Sequence, residues 1–256
     1  MNLEKDASSQ HEQEILMKMI CGLQKLTLNN KPHIKEYYRI RGMHQEIVDS
    51  MIKYYQDGKF EQKIDPGYVL PGDNIPLIQR ETTYIPLSSS FNLDTHQGGQ
   101  TFYDILIYKP APNMNCITEE FIQNQRYKRQ DKVEFLHSML SSKLGLFAVT
   151  NTEMSEGYVF LKEVFTGEEF KITDVGLSGN YSNEGFYIYT RIITYRDISF
   201  NTGLGMFFAK DDGFIENYIT IHKKDYKPDG QLVMLIELYN QYMKYPNKFT
   251  VVTNQI

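Results

Sequence analysis

The side chains best suited to proton chemistry meet in the segment NLDTHQGGQ, where Asp94 precedes His96 by two residues and Gly98 and Gly99 follow. A carboxylate that orients an imidazole is the core of many acid–base sites, and polar loops carry such groups more often than core elements do. Asp94 and His96 are therefore the candidate catalytic residues. No serine or cysteine stands at a spacing that would complete a nucleophile–base pair, so the reading leans away from an enzyme. Glu163 and Glu168 are the carboxylates that a cleft hydrolase would add.

The other motifs carry less. His33 and His44 lie eleven positions apart, about 16 Å along a helix, too far to share a metal. Glu134 and His137 make a Glu-x-x-His pair, the unit that di-iron bundles use twice, and no second copy exists. Cys21 and Cys116 form neither a disulfide framework nor a zinc ligand set, and they read as reduced thiols. No metal and no cofactor is expected. GLSGN, from Gly176 to Asn180, is one residue short of a nucleophile elbow and lies between hairpin strands. NTGLGMFF has two glycines and no following helix, so the dinucleotide-binding context is missing. Both read as turns or bulges.

Two basic runs stand out, RYKRQDK (Arg126 to Lys132) and HKKDYK (His222 to Lys227). Arg126, Lys128, Arg129 and Lys132 are the candidates for contact with nucleic acid, and the tyrosines and phenylalanines of the C-terminal half could stack bases. The net charge of −5 argues against bulk electrostatic coating of nucleic acid, so this reading is not favoured.

These residues must be positioned by elements that the periodicity outlines. From Glu12, the apolar residues Ile15, Leu16, Met19, Ile20, Leu23 and Leu26 line one helix face, and Asn29 and Asn30 end it. A second helix begins with Asn30 as cap and Pro32 in its first turn. It carries the stripe His44, Ile47, Val48, Met51 and Tyr55, and stops at Gly58. The short connection predicts a helical hairpin over residues 12–57. Six of the nine prolines fall between Pro66 and Pro112, which predicts extended segments and turns there. Within that stretch TFYDILIYK, Thr101 to Lys109, reads as a strand. A long helix is expected from Thr118, as cap, to Lys143, with Val133, Leu136, Met139 and Leu140 buried.

From Leu146 the pattern changes to short strands. LFAVT, GYVFLKEVF, EEFKITD, FYIYTRIITYR and ISFNTGLGMFF are joined by tight turns at Thr166-Gly167 and Arg196-Asp197. Such a meander predicts an antiparallel sheet, strongly curved or closed into a small barrel. Helices over Ile215–His222 and Gln231–Tyr242 follow, and KFTVVTNQI reads as a last strand or a tail. The fold class is α+β. A boundary near residues 144–156 would divide a helical and extended region, 1–145, from a β-rich region with C-terminal helices, 146–256, unless the two run as one continuous domain.

The stretches GYVFLKEVFTGEEFKITDVGLS and YIYTRIITYRDISFNTGLGMFF, residues 157–208, resemble a small β-region of uncharacterised bacterial proteins that often carry a SEC-C metal-binding motif. The likeness runs through Glu163, Val164, Phe165, Thr166, Gly167 and Glu168 at the hairpin, then Leu177 and Ser178, then Arg191 and Ile192. It implies the strand order, but the SEC-C cysteines are absent, so it implies no zinc here.

A hydrophobic fraction of 41% and a charged fraction of 23% suit a globular, soluble protein. No apolar run reaches the ~20 residues of a membrane span, and the polar start MNLEKDASSQHEQE does not resemble a signal peptide. A cytoplasmic location follows as the expectation. The leading function is a non-catalytic module that binds a protein partner or assembles with itself. The alternatives are a hydrolase-like enzyme with a cleft between the two halves, and binding of RNA or single-stranded DNA by the β-region.

Overall fold

The computed structural model describes residues 28–60, 91–109, 114–180, 185–210, 213–224, 226 and 231–244. The expected first helix of the hairpin, most of the proline-rich segment and the C-terminal tail lie outside these residues.

Seven helices and one five-stranded antiparallel sheet make up the described chain. Helix α1 (Pro32–Gln56) starts with proline at its first position, where the missing N–H costs nothing; Lys31, not Asn30, is the cap residue. Ile34, Tyr37, Ile40, Met43, His44, Ile47 and Met51 form its buried stripe. Gly58, at φ +68°, terminates it as expected.

The next element corrects the reading of TFYDILIYK as a strand. It belongs to α2, a helix over His96–Ile107. Thr95 caps it, its hydroxyl accepting from the Gly98 amide at 3.1 Å. The residues taken for a polar loop are thus its first turn. Thr101, Phe102, Asp104, Ile105, Leu106 and Ile107 are all buried, so the helix is packed on most of its sides.

The single long helix expected over Thr118–Lys143 is two: α3 (Ile117–Gln123) and α4 (Gln130–Leu140). Gln125 adopts φ +48° between them, a left-handed conformation no helix continues through. Cys116 holds the cap position of α3. The Thr118 hydroxyl instead donates to the Ile107 carbonyl at the end of α2, at 2.6 Å.

Five strands follow: β1 (Lys143–Glu153), β2 (Tyr158–Glu163), β3 (Glu169–Thr173), β4 (Phe186–Tyr195) and β5 (Ile198–Ala209). They pair in the order β3-β2-β1-β4-β5. The sheet curls until its outer strands β3 and β5 come close, yet they do not pair, so it is a curved open sheet and not a barrel. Gly167 sits in the β2–β3 turn at φ +76° and Arg196 in the β4–β5 turn at φ +53°. GLSGN, expected as a turn, forms the short helix α5 (Val175–Asn180), because the Asp174 carboxylate accepts from the Leu177 amide at 2.8 Å and starts it.

Both faces of the sheet are apolar. Phe147, Val149, Val159, Leu161, Ile172, Ile188, Ile192 and Phe207 fill one face together with Leu177 of α5. Alternate residues, among them Leu144, Leu146, Tyr189, Ile193, Phe200 and Met206, belong to the larger core that takes in the helices. That core is completed by α6 (Gly213–His222) and α7 (Gln231–Lys244), the latter burying the expected Leu232, Leu235, Ile236 and Tyr239. No helix among the described residues is long and apolar enough to cross a membrane.

Candidate functional site

A groove of about 500 Å³ opens between α1 and α2. On α1, His44, Val48 and Ile52 recur every four residues and so share the face that lines it. On α2, Gly99, Gln100, Tyr103, Asp104 and Ile107 do the same. Residues 93–96 form one end, and Thr202, Gly203 and Leu204 of β5 close another side.

From the lining residues His44, Asp104 and Tyr108 a chain of polar side chains runs behind the groove to Arg191 and Ser142, which do not line it. His44 Nε2 lies 2.6 Å from the Tyr108 hydroxyl. The Arg191 guanidinium sits over the Tyr108 ring, 4.6 Å from its centroid. Arg191 also donates to both carboxylate oxygens of Asp104, at 2.8 to 3.0 Å, and to the Ser142 hydroxyl at 3.2 Å. Burial, with a contribution from the Arg41 charge, pushes the His44 pKa down to about 3, so its ring is neutral near pH 7. Burial likewise pushes the Tyr108 hydroxyl well above the ordinary tyrosine range, and it stays protonated.

The β5 wall is a bulge. Thr190 pairs with Gly205 and Ile192 with Asn201, so residues 202–204 oppose Arg191 alone. Gly203 takes φ +98°, a conformation other residues rarely adopt. Its neighbours are held on both sides. Arg41 of α1 donates to the Asn201 carbonyl at 2.5 Å, and the Thr190 hydroxyl donates to the Leu204 carbonyl at 2.5 Å. The Asn201 side chain donates to Asp174 at 2.6 Å, tying the bulge to the end of β3. Within the bulge, Thr202 Oγ1 is shielded and has no hydrogen-bond partner.

The groove and every element that shapes it fall within residues 31–247, the span matched by the model of a family of unknown function, DUF7986. The chain belongs to that family. The DUF7986 match reaches from the start of α1 beyond the end of α7. No curated protein and no solved structure matches the chain.

Asp94 and His96 both line this groove. Both are exposed, and no hydrogen bond joins them; the Asp94 amide donates to the Asn92 side chain at 3.2 Å. No serine or cysteine is among the described lining residues. Cys116 is buried elsewhere, and burial pushes its thiol up to about 12. Among the described residues no three His, Cys, Asp or Glu side chains converge as a metal ion would require.

The remaining candidates sit apart from the groove. One carboxylate oxygen of Glu163 accepts from the amides of Phe165 and Thr166 and the Thr166 hydroxyl, at 2.5 to 2.9 Å, which fastens the β2–β3 turn. Glu168 is exposed and 3.8 Å from Lys143. Of the basic run, Arg126 lies over the rings of Tyr54 and Phe121, and Arg129 pairs with Asp131. Lys132 is buried against Tyr127 and pairs with Glu46 at 2.6 Å, while Lys128 is exposed.

Sequence reasoning missed His44 as a site residue, and it missed Asp104, Tyr108, Arg191 and Thr202. One signal was available. Asp104 interrupts the apolar run TFYDILIY and Arg191 the apolar run YIYTRIITY. A single charge inside each of two buried segments calls for an opposite partner, and the two supply each other.

Proposed function

We propose that this chain is a non-catalytic binding module whose recognition site is the groove between α1 and α2. The observation that carries the reading is the polar network that backs the groove. His44 bonds Tyr108, Arg191 bonds Asp104 and Ser142, the Arg191 guanidinium stacks on Tyr108, and a histidine whose pKa is pushed down to about 3 is a weak base. Such a network shapes and rigidifies a pocket without supplying an activated nucleophile.

Outside the groove, the module works in the cytoplasm, in a bacterial or mobile-element setting, through a protein partner or a second copy of itself. Among the described residues, Leu93, 46% exposed at one end of the groove, and Ile221, 59% exposed on α6, are the large apolar side chains that offer contact area. The likeness of residues 157–208 to the β-region of SEC-C-bearing bacterial proteins supports the bacterial setting.

A hydrolase is the second reading, favoured by one observation: Asp94 and His96 line the same groove. Activity assays with ester, amide and phosphoester substrates separate the two. The binding reading expects no turnover above blank and the same null result for Asp94→Ala and His96→Ala. Turnover that disappears in His96→Ala would establish the hydrolase. Light scattering on the eluted peak tests self-assembly, which expects a mass above one chain; a strict monomer leaves the protein-partner version.

A further inference from the structure

The groove has the size of a small-molecule site. Its volume of about 500 Å³ falls inside the ~300–1,000 Å³ range of pockets that enclose drug-sized ligands. Val48, Ile52 and Ile107 give it apolar walls. Its one shielded hydroxyl without a partner, Thr202 Oγ1, is a polar atom that a ligand could satisfy.

Charge restricts what can enter. The described lining side chains include no lysine or arginine. Asp94 stands at one end, and Asp104 at the floor already engages Arg191, whose charge is spent there. His44 brings no positive charge. The first turn of α2 also reaches the groove, but Thr95 occupies its Gly98 amide and Asp94 adds negative charge beside it. An anionic ligand would lose its hydration without direct contact with a counter-charge, because Arg41, whose charge reaches His44, is turned to the Asn201 carbonyl and does not line the groove.

We propose that the groove between α1 and α2 binds a small, non-anionic molecule with an apolar body and a group that hydrogen-bonds to Thr202. The assignment rests on the reading of the groove as a binding site and adds the class of ligand. Gly99 is its specificity-determining wall. A Cβ built there meets only the Leu93 carbonyl oxygen, at 4.0 Å, so a side chain at this position enters the groove and leaves the core untouched. Glycine is a destabilising choice inside a helix, so its place on the groove face is explained by the space it leaves.

The test uses the full chain labelled with nitrogen-15 and follows the amide signals of Gly99 and Gly203. Three probes share one ring and differ in charge: benzyl alcohol, benzylamine and benzoate, each titrated to millimolar concentration. Benzyl alcohol and benzylamine are expected to move both signals saturably, with benzoate weaker by about tenfold or more. Gly99→Leu, read at the Gly203 amide, should abolish the effect while melting no lower than the parent. Gly99→Ala, which adds one methyl group, should weaken it and guards against a leucine variant that fails to fold. Benzoate binding as tightly as benzyl alcohol would overturn the ligand class and leave the groove reading intact. Shifts that survive unchanged in both Gly99 variants, or no saturable shift with any probe, would overturn both.

Discussion

Asp104 on α2 and Arg191 on β4, 87 residues apart in the chain, form a buried ion pair with contacts of 2.8 to 3.0 Å. The pair ties the helix that walls the groove to the strand beneath it. Removing one partner leaves the other as an unpaired buried charge, and that cost exceeds the worth of the pair itself. Asp104→Ala is expected to destabilise the fold by about 3–5 kcal/mol. The double variant Asp104→Leu/Arg191→Met should recover much of that loss. Denaturant unfolding of the three proteins checks this, and a double variant no better than the single would contradict it.

His44 makes stability depend on pH. Burial first, then the Arg41 charge, lowers its folded pKa to about 3. In the unfolded chain an imidazole titrates near ~6.5. Between those values the unfolded state binds one more proton, so stability is full above about pH 6.5 and falls as pH drops toward 3, by up to ~1.4 kcal/mol per pH unit. His44→Phe removes this titration. Its unfolding free energy should change less steeply than that of the parent between pH 6.5 and 4. Parallel slopes would show that His44 does not titrate as described.

Gly167 isolates a purely conformational cost. At φ +76° in the β2–β3 turn, its missing Cβ would meet nothing nearer than the Lys162 side chain at 3.9 Å. Gly167→Val therefore meets no clash, only the strain of a branched residue in left-handed backbone. Thermal or chemical unfolding should register a loss of about 1 kcal/mol or more. An unchanged midpoint would contradict the turn assignment.

Thr202 gives the opposite expectation. Its hydroxyl has no partner, so Thr202→Val replaces a dry polar atom with a methyl group. Stability should hold or rise, because no hydrogen bond is lost. Benzyl alcohol affinity should fall. A loss of stability above about 1 kcal/mol would mean that the hydroxyl is engaged in the free protein.

What was legible in the sequence followed from one-sided burial and turn chemistry. Helix α1 announces itself through Pro32, its apolar stripe and Gly58, and the sheet through Thr166-Gly167 and Arg196-Asp197 between β-rich runs. Helix α2 was hidden because Thr101, Phe102, Tyr103, Ile105, Ile107 and Tyr108 are β-branched or aromatic residues that favour strands, a preference that tertiary packing overrides. Its cap, Thr95, stood in view but was followed by Gly98 and Gly99, which favour a loop reading. The break at Gln125 depends on a left-handed residue that its identity does not betray. Asp94 and His96 stood out as candidates because both are polar and close in sequence. His44 and Thr202 come from separate segments, and only the fold brings them to the groove, with Arg191 behind it.

The claim that the groove recognises a ligand without transforming it is tested most directly by equilibrium dialysis of a bacterial metabolite extract against the full chain. Mass spectrometry then reads both compartments. The account predicts that one or a few non-anionic compounds concentrate with the parent protein, keep their mass, and do not concentrate with Gly99→Leu. A compound that is consumed in the parent's presence, replaced by a product mass and spared by His96→Ala, would contradict it.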